Sequence, residues 1–272
     1  MAEKKIVLIT GVSSGIGQAT AQLLAQRDFT VFGTCRKPSS IETMSGIEVL
    51  PLDVCSDESV EACLNTLLKK AGRLDILVNN AGYVLRGAIE EVALEEAKAQ
   101  FETNLFGVVR MVKSVLPVMR RQGSGQIINI SSGMGLVPSP FAGYYSASKF
   151  ALEGYTEALR HEVKPFNIQV SLVEPGFIKT NVWRNVQGAA NRISDYDPWR
   201  QRVLEVRQQF EEKALEPALV AEVILRIIES KSPRLRHTVG RDVTRLLRMR
   251  RFLPEATFEK GMRRALHLEI KK

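Results

Sequence analysis

The sequence is poor in the residues that build metal sites and disulfide frameworks. It has three histidines and three cysteines, and Cys35, Cys55 and Cys63 lack the spacing of metal ligands. An odd number of scattered cysteines is typical of reduced thiols in a cytosolic protein. We therefore expect a cytoplasmic location and no metal.

Long apolar runs are absent too. No stretch reaches the roughly 20 residues of a membrane-spanning helix. The first apolar segment begins at Lys5, so we expect no signal peptide. The composition, 44% hydrophobic and 25% charged, is typical of a globular protein. A chain of 272 residues without linker-like breaks or repeats favours one large domain.

The excess of positive over negative charge is confined to the C-terminal part. Residues 231–272 carry 13 Lys or Arg against 4 Asp or Glu, and the rest of the chain carries 25 against 26. We expect residues 241–272 to form a basic helical extension, broken at Pro254, of a domain that spans residues 1–240. The extension fits either a solvated face packed near the substrate site or a peripheral membrane contact. We expect no nucleic-acid partner.

Short apolar runs alternate with helical periodicity along the whole chain, which predicts an α/β fold. Its sheet would be doubly wound and parallel, with helices on both faces. Seven strands are predicted, over residues 5–10, 30–35, 47–52, 74–78, 127–132, 167–173 and 237–239.

A glycine-rich turn joins the first strand to the first helix. Thr10 is followed by Gly11, Gly15 and Gly17 in the spacing Gly-x3-Gly-x-Gly. Glycines let the backbone approach a pyrophosphate, and a helix N-terminus offers it free N–H groups. A purely structural turn is the alternative, but the position at the first strand–helix junction favours a dinucleotide.

The end of the second strand lacks the acidic residue that reads a free ribose 2′-hydroxyl. Cys35 stands there, and Arg36 and Lys37 follow. Two cations suit a 2′-phosphate, although a solvated basic turn has the same sequence. We therefore predict NADP in preference to NAD.

Tyr145 and Lys149 are four residues apart on a predicted helix and share one face. An ammonium beside a phenol lowers the phenol pKa toward neutrality, which makes a usable proton donor and acceptor. Ser132 ends an apolar strand upstream and can bring a hydroxyl to the phenol. A surface tyrosine above a surface lysine is the plainer alternative.

These motifs, with Asn79-Asn80-Ala81-Gly82, Asn104 and Pro175-Gly176, occur in the order and spacing of the short-chain dehydrogenase/reductase superfamily. The chain resembles that family over about residues 5–237, and its hydroxysteroid and retinol dehydrogenase branch most. The resemblance implies a single-domain, Rossmann-like fold and NADP(H)-dependent interconversion of a carbonyl and an alcohol. A general aldehyde, ketone or sugar reductase, or an NADP-sensing regulator without turnover, are the alternatives.

The resemblance also assigns roles to residues. Tyr145 would transfer the proton, Ser132 would orient the substrate oxygen, and Lys149 would bind the nicotinamide ribose. Asn104 would hold a water beside Lys149, although capping of a neighbouring backbone group is an alternative for it. Asp53 would contact the adenine or cap a helix. The implied cofactor-binding residues are Gly11, Ser13, Ser14, Gly15, Ile16, Gly17, Arg36, Lys37, Asp53, Val54, Asn80, Ala81, Gly82, Tyr145, Lys149, Pro175, Gly176, Ile178 and Thr180.

The segments after Ser132 and after the sixth predicted strand indicate the class of substrate. The loop 133–141 is apolar, and residues 181–214 have the features of a mobile lid. We expect a small hydrophobic substrate, steroid-, retinoid- or lipid-like, although burial of the loop against the fold is an alternative. The expected substrate-contacting residues are Ser132, Met134, Leu136, Phe141, Tyr145 and Trp183. In the family, helices like those predicted over 94–121 and 146–163 form a dimer seam, so we expect a homodimer.

Overall fold

The computed structural model describes residues 4–40, 44–180 and 187–269, in which strands and helices alternate as predicted. The strands are β1 Lys5–Thr10, β2 Phe29–Cys35, β3 Ile47–Pro51, β4 Ile76–Asn79, β5 Leu85–Arg86, β6 Gly125–Ile130, β7 Ile168–Pro175, β8 Gln187–Gly188 and β9 Arg236–Val239. The α-helices are α1 Gly15–Ala25, α2 Asp57–Ala71, α3 Leu94–Phe101, α4 Gly107–Gln122, α5 Gly143–Val163, α6 Asp197–Glu212, α7 Pro217–Glu229, α8 Arg241–Phe252 and α9 Glu255–Ala265.

Seven of the described strands form one parallel sheet in the order β3-β2-β1-β4-β6-β7-β9. The chain builds outward from β1 to β3 and then returns to add β4 on the other side of β1. Loops from adjacent strand ends therefore diverge between β1 and β4, and a crevice opens at their carboxyl ends. The predicted seven-stranded, doubly wound sheet is confirmed. The strands β5 and β8 pair separately.

Helices cover both faces of the sheet because its strands are apolar on both sides. One core joins side chains of α2, α4 and α5 to the sheet, among them Leu67, Val115 and Leu152. The other core packs α1 and α7 on the opposite face, through Leu24 and Ile224. Near-continuous apolar strands such as β1, buried from its second residue onward, are expected where both faces are covered.

The long helix predicted over residues 94–121 is interrupted. A π-helical turn over Glu102–Phe106 separates α3 from α4, and such turns often occur at functional sites. The turn carries Asn104, which is fully buried. A uniform helical period fits the apolar residues on both sides of the turn, so the sequence pattern did not reveal the break.

The basic extension forms α8 and α9, which are separated near Pro254 as predicted. The helix α8 packs on the body of the protein. A Cβ added to Gly133 would lie 2.8 Å from Val243, and one added to Gly176 would lie 2.7 Å from Asp242. Arg250 also donates a hydrogen bond to the carbonyl of Leu136. In the part of the chain that the structure describes, no helix is long and apolar enough to cross a membrane.

Candidate active site

The glycine turn after β1 forms one wall of a crevice of about 780 Å³. Gly11 and Gly15 have φ angles of 73° and 62°, in the left-handed region that favours glycine. Gly17 packs against the turn itself, because a Cβ there would lie 2.2 Å from the carbonyl oxygen of Gly11. Ser14 precedes α1 without a side-chain cap, so the N–H groups of the first turn remain available to an anion.

The Asn79-Asn80-Ala81-Gly82 segment braces the centre of the sheet. The Thr10 hydroxyl accepts hydrogen bonds from the backbone N–H groups of Asn80 and Ala81, at 2.9 and 3.0 Å. The Asn80 side chain donates to the carbonyl of Gly11 at 2.8 Å. These bonds hold the glycine turn against the end of β4. The residues fit a dinucleotide, since an uncapped helix N-terminus and a close-packed glycine turn face a crevice of sufficient size.

The end of β2 places a cation at the crevice. Arg36 is exposed and lines the crevice, whereas the neighbouring Lys37 is exposed but does not line it. Asp53 also lines the crevice, and its carboxylate accepts from the backbone N–H of Cys55 at 2.9 Å. The N-cap of α2 is Ser56. Asp53 is therefore not the helix cap.

Tyr145, on the first turns of α5, lines the crevice together with Ser132, which follows β6. Burial raises the pKa of Tyr145, while a hydrogen bond with Ser132 and the charge of Arg207 act to lower it. The expected lowering of this pKa by Lys149 is therefore not found in the structure. Burial has the larger effect, and the cation that acts on the phenol is Arg207.

Lys149 lies beneath the phenol. Its Nζ is 6.0 Å from the centroid of the Tyr145 ring and donates a hydrogen bond to the carbonyl of Ile130 at 2.8 Å. Burial lowers the pKa of Lys149 to about 8, and the nearby Glu153 partly opposes this. A lysine with this pKa exchanges a proton readily near neutral pH.

Asn104 holds the backbone next to this lysine. Its amide accepts from the N–H of Tyr83 and donates to the carbonyl of Tyr83, both at 3.1 Å. A Cβ added to Gly82 would lie 3.0 Å from Asn104 Oδ1 and 3.9 Å from Lys149 Nζ. Asn104 thus caps a backbone segment, as one of the two readings of the sequence expected, and lies close to the lysine.

A buried acid pair behind Lys149 was not predicted. Glu153 and Glu174 are almost fully buried, and Arg236 Nε lies 3.1 Å from the first and 3.4 Å from the second carboxylate. Burial and the neighbouring Glu153 raise the pKa of Glu174 to about 8. Glu153 follows Lys149 by four positions, but no local pattern indicated that Glu174 would lie beside Glu153.

Most of the predicted cofactor residues line the crevice. Gly17 and Lys37 do not, whereas Thr34, Thr103 and Gln187 line it without having been predicted. The predicted residues found there are Gly11, Ser13, Ser14, Gly15, Ile16, Arg36, Asp53, Val54, Asn80, Ala81, Gly82, Tyr145, Lys149, Pro175, Gly176, Ile178 and Thr180.

The structure does not bring the predicted substrate-contacting residues together in one cavity. Phe141 lines a second, smaller cavity of about 310 Å³ next to α6, and its φ of 58° is a strained value for a residue with a side chain. Met134 and Leu136 line neither cavity. Trp183 lies outside the described residues. The second half of the predicted lid is the helix α6, which carries the buried Arg207.

This arrangement supports proton transfer beside a bound dinucleotide. A phenol and a hydroxyl share the crevice with a buried amine, at the point where the strand order reverses. Such a site can hold an oxygen between Ser132 and Tyr145 and move a proton to or from it.

Comparisons with known proteins agree with this geometry. A family model described as short chain dehydrogenase matches residues 5–191. A 3-ketodihydrosphingosine reductase from Bacteroides thetaiotaomicron is 42% identical over 240 residues, which cover 88% of each chain. Retinol dehydrogenase 8 from Bos taurus is 39% identical over 273 residues, covering 93% of this chain and 87% of that protein. The solved structure of ElxO with NADP bound is 29% identical, with a TM-score of 0.71 over 87% of this chain and 96% of that one.

Proposed function

Because the chain belongs to the short-chain dehydrogenase family, we propose that it is an NADP(H)-dependent oxidoreductase that interconverts a carbonyl and an alcohol on a hydrophobic substrate. The observation that carries this proposal is the meeting of Tyr145, Ser132 and Lys149 in the crevice at the switch point of the sheet. Three groups from α5 and the end of β6 converge on one place there, as a carbonyl reductase requires.

The proposed chemistry divides between the cofactor and the chain. A bound nicotinamide supplies or accepts the hydride. In reduction, Ser132 donates a hydrogen bond that orients the substrate oxygen, and Tyr145 gives its proton to that oxygen. The raised pKa of Tyr145 keeps the phenol protonated, which suits an acid. Lys149, with its pKa near 8, restores that proton. In oxidation, Tyr145 is the base.

NADP(H) is the proposed cofactor because of the residues that end β2. Arg36 lines the crevice, and the residue before it is Cys35 in place of an acid. A guanidinium there favours a 2′-phosphate. The NADP-bound structure of ElxO supports the same choice.

The hydrophobic substrate class is supported by the walls near the catalytic groups. Phe141, Val203 and Leu204 line the smaller cavity. Two relatives are named for 3-ketodihydrosphingosine and for retinol, both compounds with long apolar chains. We propose a substrate of similarly apolar character.

We further propose a homodimer with a two-fold axis through α4 and α5. Phe150 on α5 and Phe106, the last residue of the π-helical turn before α4, are 38% and 49% exposed. The exposed face of α5 also carries the small residues Ala147, Gly154 and Ala158, which allow a second helix to approach closely.

The test is reduction of a panel of ketones, aldehydes and retinoids with NADPH by the parent protein and by Tyr145→Phe. Loss of the transferable proton should lower kcat by about 10²–10⁴-fold, with NADPH binding retained. Tyr144→Phe, one residue earlier on the same helix, is the matched control and should keep its rate. A Tyr145→Phe variant with more than about a tenth of the parent rate would mean that Tyr145 is not the acid.

A further inference from the structure

Arg207 on α6 is a buried cation whose donors are only partly used. The residue is 3% exposed, and its Nη2 donates to the hydroxyl of Ser139 at 2.9 Å and to the carbonyl of Pro140 at 3.4 Å. Its Nε and Nη1 are buried without a hydrogen-bond partner. These two atoms carry three of the five N–H groups of a guanidinium. Buried donors of this kind are costly unless an acceptor meets them.

The neighbouring arginines differ from Arg207 in their partners. The cavity of about 310 Å³ that Arg207 lines is also bordered by Arg86, Arg192 and Arg200. Each of these three has a carboxylate of its own, and the pairs are Arg86 with Glu211, Arg192 with Asp197 and Arg200 with Glu91. Among the residues that the structure describes, no carboxylate forms an ion pair with Arg207. Of the arginines that the structure describes in this lining, Arg207 is therefore the one without a carboxylate at ion-pair distance, and the charge of Glu211 acts on it only from farther away.

The cavity lies beside the catalytic crevice. In the strand β8, Gln187 lines the crevice and Gly188 lines the cavity. The charge of Arg207 acts on the phenol of Tyr145, so the guanidinium is near the reacting group. Phe141, Val203 and Leu204 give the cavity an apolar wall. The same cavity therefore offers one ligand both an apolar wall and the guanidinium of Arg207.

We propose that Arg207 binds a carboxylate in this cavity, and that the substrate is an apolar oxo or hydroxy compound that carries this carboxylate. The inference rests on the proposed oxidoreductase function and adds a substrate class to it. A carboxylate is preferred to a phosphate because a monoanion matches the one described arginine of the lining that has no carboxylate at ion-pair distance. A dianion would bring a second negative charge, and the other arginines of the lining already have carboxylate partners.

A structural role for Arg207 makes a different prediction. If the residue only ties α6 to the loop at Ser139, the two bonds of Nη2 suffice, and the remaining donors would have no ligand specificity. Removal of the side chain would then weaken the binding of charged and neutral ligands alike. The difference in affinity between a charged and a neutral ligand of equal chain length therefore distinguishes the two roles.

The binding test uses octanoate and 1-octanol, measured by titration calorimetry on the cofactor-free protein. The parent should bind octanoate about ten- to a hundredfold more tightly, as expected of one charge-assisted contact. Arg207→Gln should reduce this preference to less than about threefold, and Arg207→Lys should retain part of it. Arg202→Gln, on the same helix but outside the cavity lining, is the control and should keep the parent preference.

Equal binding of octanoate and 1-octanol by the parent would overturn the inference, and this result needs no variant to fold. A preference that survives in a folded Arg207→Gln protein, verified by its thermal melting curve, would overturn it as well. Octyl phosphate is the third ligand, and binding tighter than that of octanoate would refute the choice of a carboxylate.

Turnover separates this inference from the proposed function. The parent should reduce 5-oxooctanoate with higher kcat/KM than its methyl ester. Arg207→Gln should lower kcat/KM for the acid at least about tenfold more than for the ester. If neither compound nor any ketone of the panel is reduced while octanoate binding depends on Arg207, the carboxylate site stands and the oxidoreductase proposal fails. If acid and ester are reduced equally and the variant affects both equally, the carboxylate site fails and the oxidoreductase proposal stands.

Discussion

Cofactor preference gives the sharpest test at a single position, Arg36. The guanidinium is exposed at the end of β2 and lines the crevice. A charge-assisted pair with a phosphate contributes about 1.5–3 kcal/mol, or roughly ten- to a hundredfold in affinity. Since Arg36 is exposed, solvent screening places the effect near the lower limit. We therefore expect NADPH to bind about tenfold more tightly than NADH.

Three variants isolate the cause of this preference. Arg36→Ala should remove most of it and leave NADH affinity nearly unchanged, because NADH lacks the 2′-phosphate. Lys37→Ala is the matched control, since this neighbouring cation is exposed but does not line the crevice. It should keep the parent preference. Cys35→Asp should invert the preference by adding an acceptor for the ribose and a charge that repels the phosphate.

The assay is fluorescence titration of NADPH and NADH at low and at moderate salt. The preference of the parent should weaken as salt rises, because the cation is exposed to solvent. Equal affinities in the parent would refute the placement of the phosphate site. So would an Arg36→Ala variant with undiminished preference, or an equal loss in Lys37→Ala, which would indicate a general charge effect.

Three further outcomes are expected. The pKa of Glu174 in the folded protein, about 8, lies above its usual value of 4.5. The folded state therefore keeps a proton that the unfolded chain releases between these values, and this residue lowers stability as pH rises. The unfolding free energy of Glu174→Gln, relative to that of the parent, should rise by roughly 1–3 kcal/mol from pH 5 to pH 8, as measured by urea denaturation at both pH values. A difference between variant and parent that does not change with pH would contradict the raised pKa. Gly17→Ala should destabilise the fold by about 1–3 kcal/mol, because the added Cβ meets backbone at 2.2 Å; an unchanged melting temperature would show that the turn yields. Light scattering should find a dimer at micromolar concentration and a shift toward monomer in Phe106→Glu, whereas a monomeric parent would exclude the proposed α4–α5 seam.

The sequence alone predicted the sheet and most of the crevice, because both depend on local patterns. Each predicted strand of five or more residues was found within a few residues of its predicted bounds, as in β6, predicted over 127–132 and found over Gly125–Ile130. Parallel strands end at the same edge of the sheet, so motifs at successive strand ends had to meet. This is why Gly15, Asn80, Ser132 and Tyr145 could be assigned to one site.

The tertiary structure decided the electrostatics of that site. Arg207 meets Ser139 across 68 positions of the chain, and Arg236 meets Glu153 across 83. No periodicity relates residues so far apart, and their charges gave no sign of burial. The pKa of Tyr145 follows from the same cause, since the spacing to Lys149 was visible in the sequence while the burial around the phenol was not. Local pattern therefore determined where the reacting groups lie in the chain, and packing between distant segments determined the charges and the burial around them.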